Sequence, residues 1–221
     1  MIDKALNLLA PHHCCGCQKS GRLLCDYCKY NINNEHNFAC LACLRPCGAS
    51  GVCTSCALPY SRAWWVGKRQ DGLEKLVDVY KFERVKSASI ELADLMAETL
   101  PDMPIDVIIV PVPTVASHIR SRGYDHTKLI SARLSKKLGL RKVDCLDRLT
   151  TDTQHGATAR QRLKQAKVAF GVNKKFVKDR VYLLIDDVYT TGSTVHFAAE
   201  RLKEAGAKDV WVAVIARQAI D

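Results

Sequence analysis

Val181-Tyr-Leu-Leu-Ile-Asp-Asp-Val-Tyr-Thr-Thr-Gly-Ser-Thr194 is the stretch on which the reading of the chain turns. Residues 181–185 form a short continuous apolar run, the pattern of a strand buried on both faces of a parallel sheet. Two adjacent carboxylates follow, then a loop of small hydroxyl residues, then a segment at 194–204 with helical spacing that stops at Gly206. Asp186 and Asp187 are acceptors suited to the paired hydroxyls of a ribose. Amides and hydroxyls of Thr190, Thr191, Ser193 and Thr194 can surround a phosphate at the positive end of the helix, and Gly192 allows close backbone approach. The plain alternative is a strand–turn–helix in which Thr194 is only an N-cap.

Working outward, Asp106-Val-Ile-Ile-Val-Pro-Val-Pro113 is a second buried strand. Residues 73–82 and 88–100 have helical spacing, the latter stopped by Pro101. Residues 124–138 predict a helix, 143–149 a strand, and 210–216 a last strand. Strands alternating with helices predict an α/β domain with a largely parallel sheet, whose ligands bind beyond the carboxyl ends of the strands. This domain covers 59–221, with Trp64-Trp65-Val66 opening its apolar pattern and 58–63 as a linker. Residues 151–167 are polar and basic, with the character of a mobile loop.

Residues 1–58 are of another kind. Ten of the eleven cysteines lie between Cys14 and Cys56, eight of them in four CxxC pairs. Each pair can form a knuckle presenting two sulfurs to one metal, and two knuckles complete a tetrahedral site. The short gaps favour sequential pairing: Cys14, Cys17, Cys25 and Cys28 in one site, Cys40, Cys43, Cys53 and Cys56 in the other. An interleaved pairing is the alternative. Four thiolates leave no open position, so the two zinc ions are structural, and chelation would unfold 1–58 while sparing the sheet. Cys15 and Cys47 are spare. No apolar run approaches the roughly 20 residues that span a bilayer, which predicts a cytoplasmic protein without membrane insertion.

The 181–194 stretch resembles the phosphoribosyl-pyrophosphate signature of the type I phosphoribosyltransferases. With the cysteine module, Pro111-Val-Pro113, Arg120-Ser-Arg-Gly-Tyr-Asp-His126 and Val214-Ile-Ala-Arg217, nearly the whole chain resembles the ComF family of competence proteins. The resemblance implies a type I phosphoribosyltransferase-like fold that binds phosphoribosyl pyrophosphate. Asp186 and Asp187 would hold the ribose hydroxyls, 190–194 the 5-phosphate, and the loop after Val110 would face the pyrophosphate, with Mg²⁺ bridging pyrophosphate and ribose oxygens. It also implies a role in DNA uptake during natural transformation, with single-stranded DNA as a partner. Two other readings fit the same residues: a working phosphoribosyltransferase on an unidentified acceptor, and a non-enzymatic adaptor whose zinc module docks a helicase or uptake protein. The chain departs from the family in reading Arg122-Gly-Tyr-Asp-His126 where Arg-Gly-Phe-Asn-Gln is usual. Purine-salvage enzymes carry an aspartate where this chain has Thr190, which argues against purine salvage.

The formal charge of +10 is concentrated in residues 114–180, which carry seventeen basic and five acidic groups. Two Zn(Cys)₄ sites would lower the total to about +6 without touching that segment. Arg120 and Arg122 are candidates for pyrophosphate binding. Arg133, Lys136, Lys137, Arg141 and Lys142 could track a nucleic-acid backbone or be a solvated helix face. Tyr124 and His126 could stack on a base, or Tyr124 could pack at the helix start.

Overall fold

The computed structural model of the chain describes residues 12–34, 39–149 and 169–218. The polar segment 151–167, with His155, Arg160 and Arg162, lies outside the described residues, as does His36.

Five strands form one wholly parallel sheet in the order β1-β7-β6-β2-β3: Arg62–Lys68, Asp209–Arg217, Val181–Tyr189, Ile108–Pro111 and Arg141–Lys142. Two further strands, β4 (Leu146–Arg148) and β5 (Phe170–Val172), make a separate antiparallel pair. The helices are α1 (Asp26–Asn33), α2 (Asp71–Phe82), α3 (Ala88–Thr99), α4 (Ala116–Arg122), α5 (His126–Leu138) and α6 (Ser193–Glu204).

The central strands alternate between two cores, as a period of two requires. Leu183 and Ile185 of β6, with Ala213 and Ile215 of β7, face α2, α3 and α5, meeting Leu76, Tyr80, Leu92, Leu95, Ile130 and Leu134. Tyr182, Leu184, Val212 and Val214 face α6, meeting Val195, Ala198, Ala199 and Leu202. Both faces are therefore covered, which explains why these strands read as continuous apolar runs.

Three local expectations change. Residues 124–138 begin as helix only at His126, because Asp125 is the N-cap and accepts from the Lys128 amide at 3.1 Å. A separate short helix, α4, precedes it and ends at Gly123, whose φ is 80°. The strand expected at 143–149 is split: Arg141–Lys142 closes the parallel sheet, while Leu146–Arg148 leaves it to pair with β5. Apolar sequence at 64–66 belongs to the outer strand β1, which pairs with β7 from Arg62 onward.

The cysteine segment does not stand apart from the sheet. Cys14, Cys15, Leu23 and Leu24 are buried in the core under α2 and α3. Leu41 is fully buried in the opposite core. The two cysteine groups thus brace opposite faces of one sheet. The Ala63 amide donates to the Ser50 carbonyl at 2.7 Å, and a Cβ on Gly51 would lie 1.9 Å from the Ala63 carbonyl oxygen. That contact leaves no room for any other residue at 51. With such a shared core, unfolding on chelation is expected to reach the sheet as well as residues 1–58.

Candidate functional site

β6 runs on past its apolar half and carries Asp186 and Asp187 to the carboxyl end of the sheet, beside the end of β2. Adjacent strand residues point to opposite faces, so the two carboxylates meet different surroundings. Both are buried and both line a cleft of about 360 Å³.

Asp187 lies on the α2/α5 face. Its Oδ2 is 2.8 Å from Lys81 Nζ and 2.5 Å from His126 Nε2. Lys81 belongs to the last turn of α2, where a cation suits the helix dipole, and His126 opens α5 directly after its cap. Arg122 Nη1 lies 2.9 Å from His126 Nδ1. A guanidinium can only donate, so Nδ1 accepts and the ring carries its proton on Nε2, aimed at Asp187. Burial by itself would raise the Asp187 carboxyl, but Lys81 and His126 outweigh it and hold the group well below the usual range.

Asp186 lies on the other face. Burial, reinforced by the neighbouring Asp187 charge, pushes its carboxyl up to about 7, against smaller opposing effects from the Asp187 amide, Lys81 and Arg148. Two adjacent aspartates are thereby given different characters, one a fixed anion and one a proton carrier near neutrality.

The loop at 190–194 closes the same cleft. Thr190 and Thr194 line it, while Thr191 and Ser193 are exposed, their hydroxyl oxygens 3.1 Å apart. Gly192, at φ 77°, caps α6, so Thr194 is not the cap. A Cβ there would sit 2.0 Å from the Tyr189 hydroxyl, so glycine is required on two grounds. The turn after β2 supplies Val112, Pro113, Thr114 and Val115, and Thr127 donates to the Val112 carbonyl at 2.7 Å to fix it.

Arg122 lines the cleft, its guanidinium 5.6 Å from the centre of the Phe82 ring, whereas exposed Arg120 is not among the lining residues. His126 is buried, and Tyr124 packs on the Tyr80 ring at 5.4 Å and donates its hydroxyl to the Tyr80 carbonyl, so neither presents a free face for stacking a base. Lys81, Arg69, His118 and Arg148 also line the cleft. Sequence reasoning missed them because none lies in a local motif. The one available signal was that Lys81 ends a helix of clear amphipathic spacing.

The sulfurs of Cys14, Cys17, Cys25 and Cys28 all lie within 4.8 Å of one another, as do those of Cys40, Cys43, Cys53 and Cys56. A tetrahedron of Zn–S bonds near 2.3 Å has sulfur–sulfur edges of about 3.8 Å. In the structure the edges are 3.6 Å for Cys17–Cys25, 3.6 Å for Cys43–Cys53, 3.9 Å for Cys40–Cys56 and 3.4 Å for Cys53–Cys56. Both groups could therefore hold a structural zinc ion. Burial would raise the Cys14 and Cys40 thiols, but backbone amides of the knuckles outweigh it and bring them down to about 6 and about 7. Cys15 joins neither group, and burial pushes its thiol up to about 11. Cys47 also stands outside both, its thiol raised by burial.

Among the described residues no helix is long and apolar enough to cross a membrane. Residues 119–221 match the phosphoribosyl transferase domain model. Over 221 residues the chain is 27% identical to competence protein F of Haemophilus influenzae, covering 87% of this chain and 96% of the relative. In structural comparison, glutamine phosphoribosylpyrophosphate amidotransferase from B. subtilis aligns with a TM-score of 0.43 and 17% identity over 59% of this chain and 26% of that one. Over 206 residues the chain is 30% identical to the DNA utilization protein YhgH of Salmonella typhi, covering 88% of this chain and 90% of the relative. Since the match at 30% identity covers 88% of this chain and 90% of the relative, and the match to competence protein F covers a similar share, the chain belongs to the family of competence protein F and the DNA utilization protein YhgH.

Proposed function

We propose that this is a competence-type protein of DNA uptake and use, whose cleft binds phosphoribosyl pyrophosphate with Mg²⁺. The observation that carries the reading is the convergence on one cleft of Asp186 and Asp187 with Thr190, Thr194 and the amino end of α6. Carboxylates suit ribose hydroxyls, and a helix start with small hydroxyl residues suits a phosphate. Arg122, from the end of α4, and the turn at 112–115 face the same space and suit the pyrophosphate. Mg²⁺ would supply charge neutralisation between ribose and pyrophosphate oxygens. Relatives named for competence and DNA utilization, together with the phosphoribosyl transferase domain, support the cellular role. Binding should raise thermal stability by mass action, by about 2.7 kcal/mol at a hundredfold excess over Kd. An unchanged midpoint with millimolar Mg²⁺–phosphoribosyl pyrophosphate would refute the ligand assignment.

Single-stranded DNA is the proposed macromolecular partner, and the basic helix α5 with strand β3 is its track. Several of these cations are engaged: Lys137 with Asp94 at 2.6 Å, Lys142 with Asp144 at 2.5 Å, and Arg133 with the Ser89 hydroxyl at 2.6 Å. Lys136 and Arg141 are exposed. Replacing Lys136, Lys137, Arg141 and Lys142 by alanine should lower both single-stranded DNA affinity and its dependence on salt, since fewer counterions are released. Equal salt slopes for wild type and variant would make the run a solvated face.

A further inference from the structure

Among the described residues Arg217 is the largest side chain that is fully buried, at 1% exposure, and nothing in the site just described uses it. Its Nε donates to the Leu41 carbonyl at 2.7 Å, Nη2 to the Ala42 carbonyl at 3.0 Å, and Nη1 to the Gln218 carbonyl. Leu41 and Ala42 are the two residues between Cys40 and Cys43, so the guanidinium grips the inside of a knuckle of the second cysteine group. Among the described residues no carboxylate forms an ion pair with it. A buried cation without a counter-charge costs several kcal/mol, and the groups near enough to favour its charge are Tyr189, Cys40, Tyr60 and Cys43.

The other side of Arg217 faces the carboxylate strand. Its guanidinium lies 5.2 Å from the centre of the Tyr189 ring, and the Gln218 amide donates to the Tyr189 carbonyl at 2.9 Å. Tyr189 in turn lies under Gly192, its hydroxyl 2.0 Å from where a Cβ would be, so the ring sets the floor of the 190–194 loop. Knuckle, guanidinium, ring and loop are thus in unbroken contact.

We propose that the second cysteine group, through Arg217 and Tyr189, positions the phosphate loop, so that metal in that group sets the loop's order and its affinity for a phosphorylated ligand. Arg217 is here a positioning residue. The affinity clause rests on the reading of the cleft as a phosphoribosyl pyrophosphate site; the coupling does not. The first cysteine group packs in the core on the opposite face of the sheet from Leu41 and Tyr189, and serves as an internal control.

The test is amide hydrogen exchange at 190–194 in the full-length, zinc-loaded chain without ligand, comparing wild type with Cys56→Ser, Cys28→Ser and Arg217→Lys. Cys56→Ser weakens the second group without touching Leu41 or Ala42. Arg217→Lys keeps the charge but cannot bridge two carbonyls and cover a ring at once. Exchange at 190–194 is expected to rise about tenfold in Cys56→Ser and Arg217→Lys, and to stay near wild type in Cys28→Ser, while the central strand at 181–185 keeps its protection in all. Should Cys56→Ser not fold, Arg217→Lys decides, with faster release of zinc to a chelator from one of the two groups as its second readout. Unchanged exchange in Arg217→Lys, or an equal rise in Cys28→Ser, overturns the proposal. A titration with Mg²⁺–phosphoribosyl pyrophosphate then separates the two claims. If wild type binds nothing, the ligand reading fails while the exchange result still stands; if wild type binds and Arg217→Lys binds about tenfold less tightly, both hold.

Discussion

Asp186→Asn is expected to stabilise the ligand-free protein and Asp187→Asn to destabilise it, although the residues are adjacent and the substitutions identical. Asp186 is buried with its carboxyl raised to about 7, so ionising it in the folded chain is unfavourable. In the unfolded chain it ionises near the ordinary value of 3.8. Between those values the unfolded state has lost the proton while the folded state keeps it, so rising pH favours unfolding, and the whole penalty is present above about pH 7. An asparagine avoids that penalty, and its carbonyl oxygen can still accept from the Asp187 amide, now at 2.9 Å from Asp186 Oδ1. The gain should be on the order of 3 kcal/mol at pH 8 and vanish near pH 4. Asp187 behaves in the opposite sense. Its carboxyl is held below the usual range, so its contribution is present above pH 4 and lost only in stronger acid. Asparagine there leaves the half-buried Lys81 ammonium without its partner, a loss on the order of 2 kcal/mol. Chemical denaturation of both variants at pH 4, 6 and 8 checks the signs. Destabilisation by Asp186→Asn at pH 8 would show that the two aspartates are not differentiated as described. Both variants should bind phosphoribosyl pyrophosphate less tightly, so the stabilised one gains stability at the expense of its site.

Removing zinc is expected to abolish the cooperative unfolding transition of the whole chain, not of the first 58 residues alone. Structural zinc contributes about 10–16 kcal/mol in isolated fingers, comparable with or larger than the net stability of an ordinary domain. In this chain the knuckles also carry core: Cys14 and Leu41 are 0% exposed, and Leu24 is 1% exposed, among residues of the sheet and its helices. Losing the metal therefore frees the groups that cover β1 on one face and the start of α2 on the other. A Cβ on Gly72 at that start would meet the Gly16 Cα at 3.0 Å. Scanning calorimetry of zinc-loaded and chelated protein, with metal content measured alongside, gives the comparison. Two separable transitions, with the second unmoved by chelation, would contradict the shared core and support a division at residue 58.

Much of this fold could be read from the chain because its central strands are buried on both sides. Residues 181–185 and 108–111 are continuous apolar runs for that reason, and no other element suits so short a run next to a glycine loop. The helices at 71–82 and 88–99 show their spacing because each has one solvent face. What could not be read was pairing decided by distant neighbours. Leu146–Arg148 leaves the parallel sheet for Phe170–Val172, a partner more than twenty residues away. Lys81 reaches Asp187 across more than a hundred residues, and Arg217 reaches Leu41 across 176. The carboxylate pair and its loop were visible because their chemistry is local; the groups that tune and hold them were not, because theirs is tertiary.

The most direct measurement is isothermal titration of Mg²⁺–phosphoribosyl pyrophosphate into the zinc-loaded wild type and into Gly192→Val. Valine at 192 would have to hold φ near 77° with its Cβ inside the Tyr189 ring, so the loop must move. Saturable binding by wild type at one site per chain, dependent on Mg²⁺ and weakened at least about a hundredfold in Gly192→Val, about 2.7 kcal/mol, is the predicted result. No heat with wild type, or equal affinity in both proteins, would contradict the assignment of this cleft to phosphoribosyl pyrophosphate.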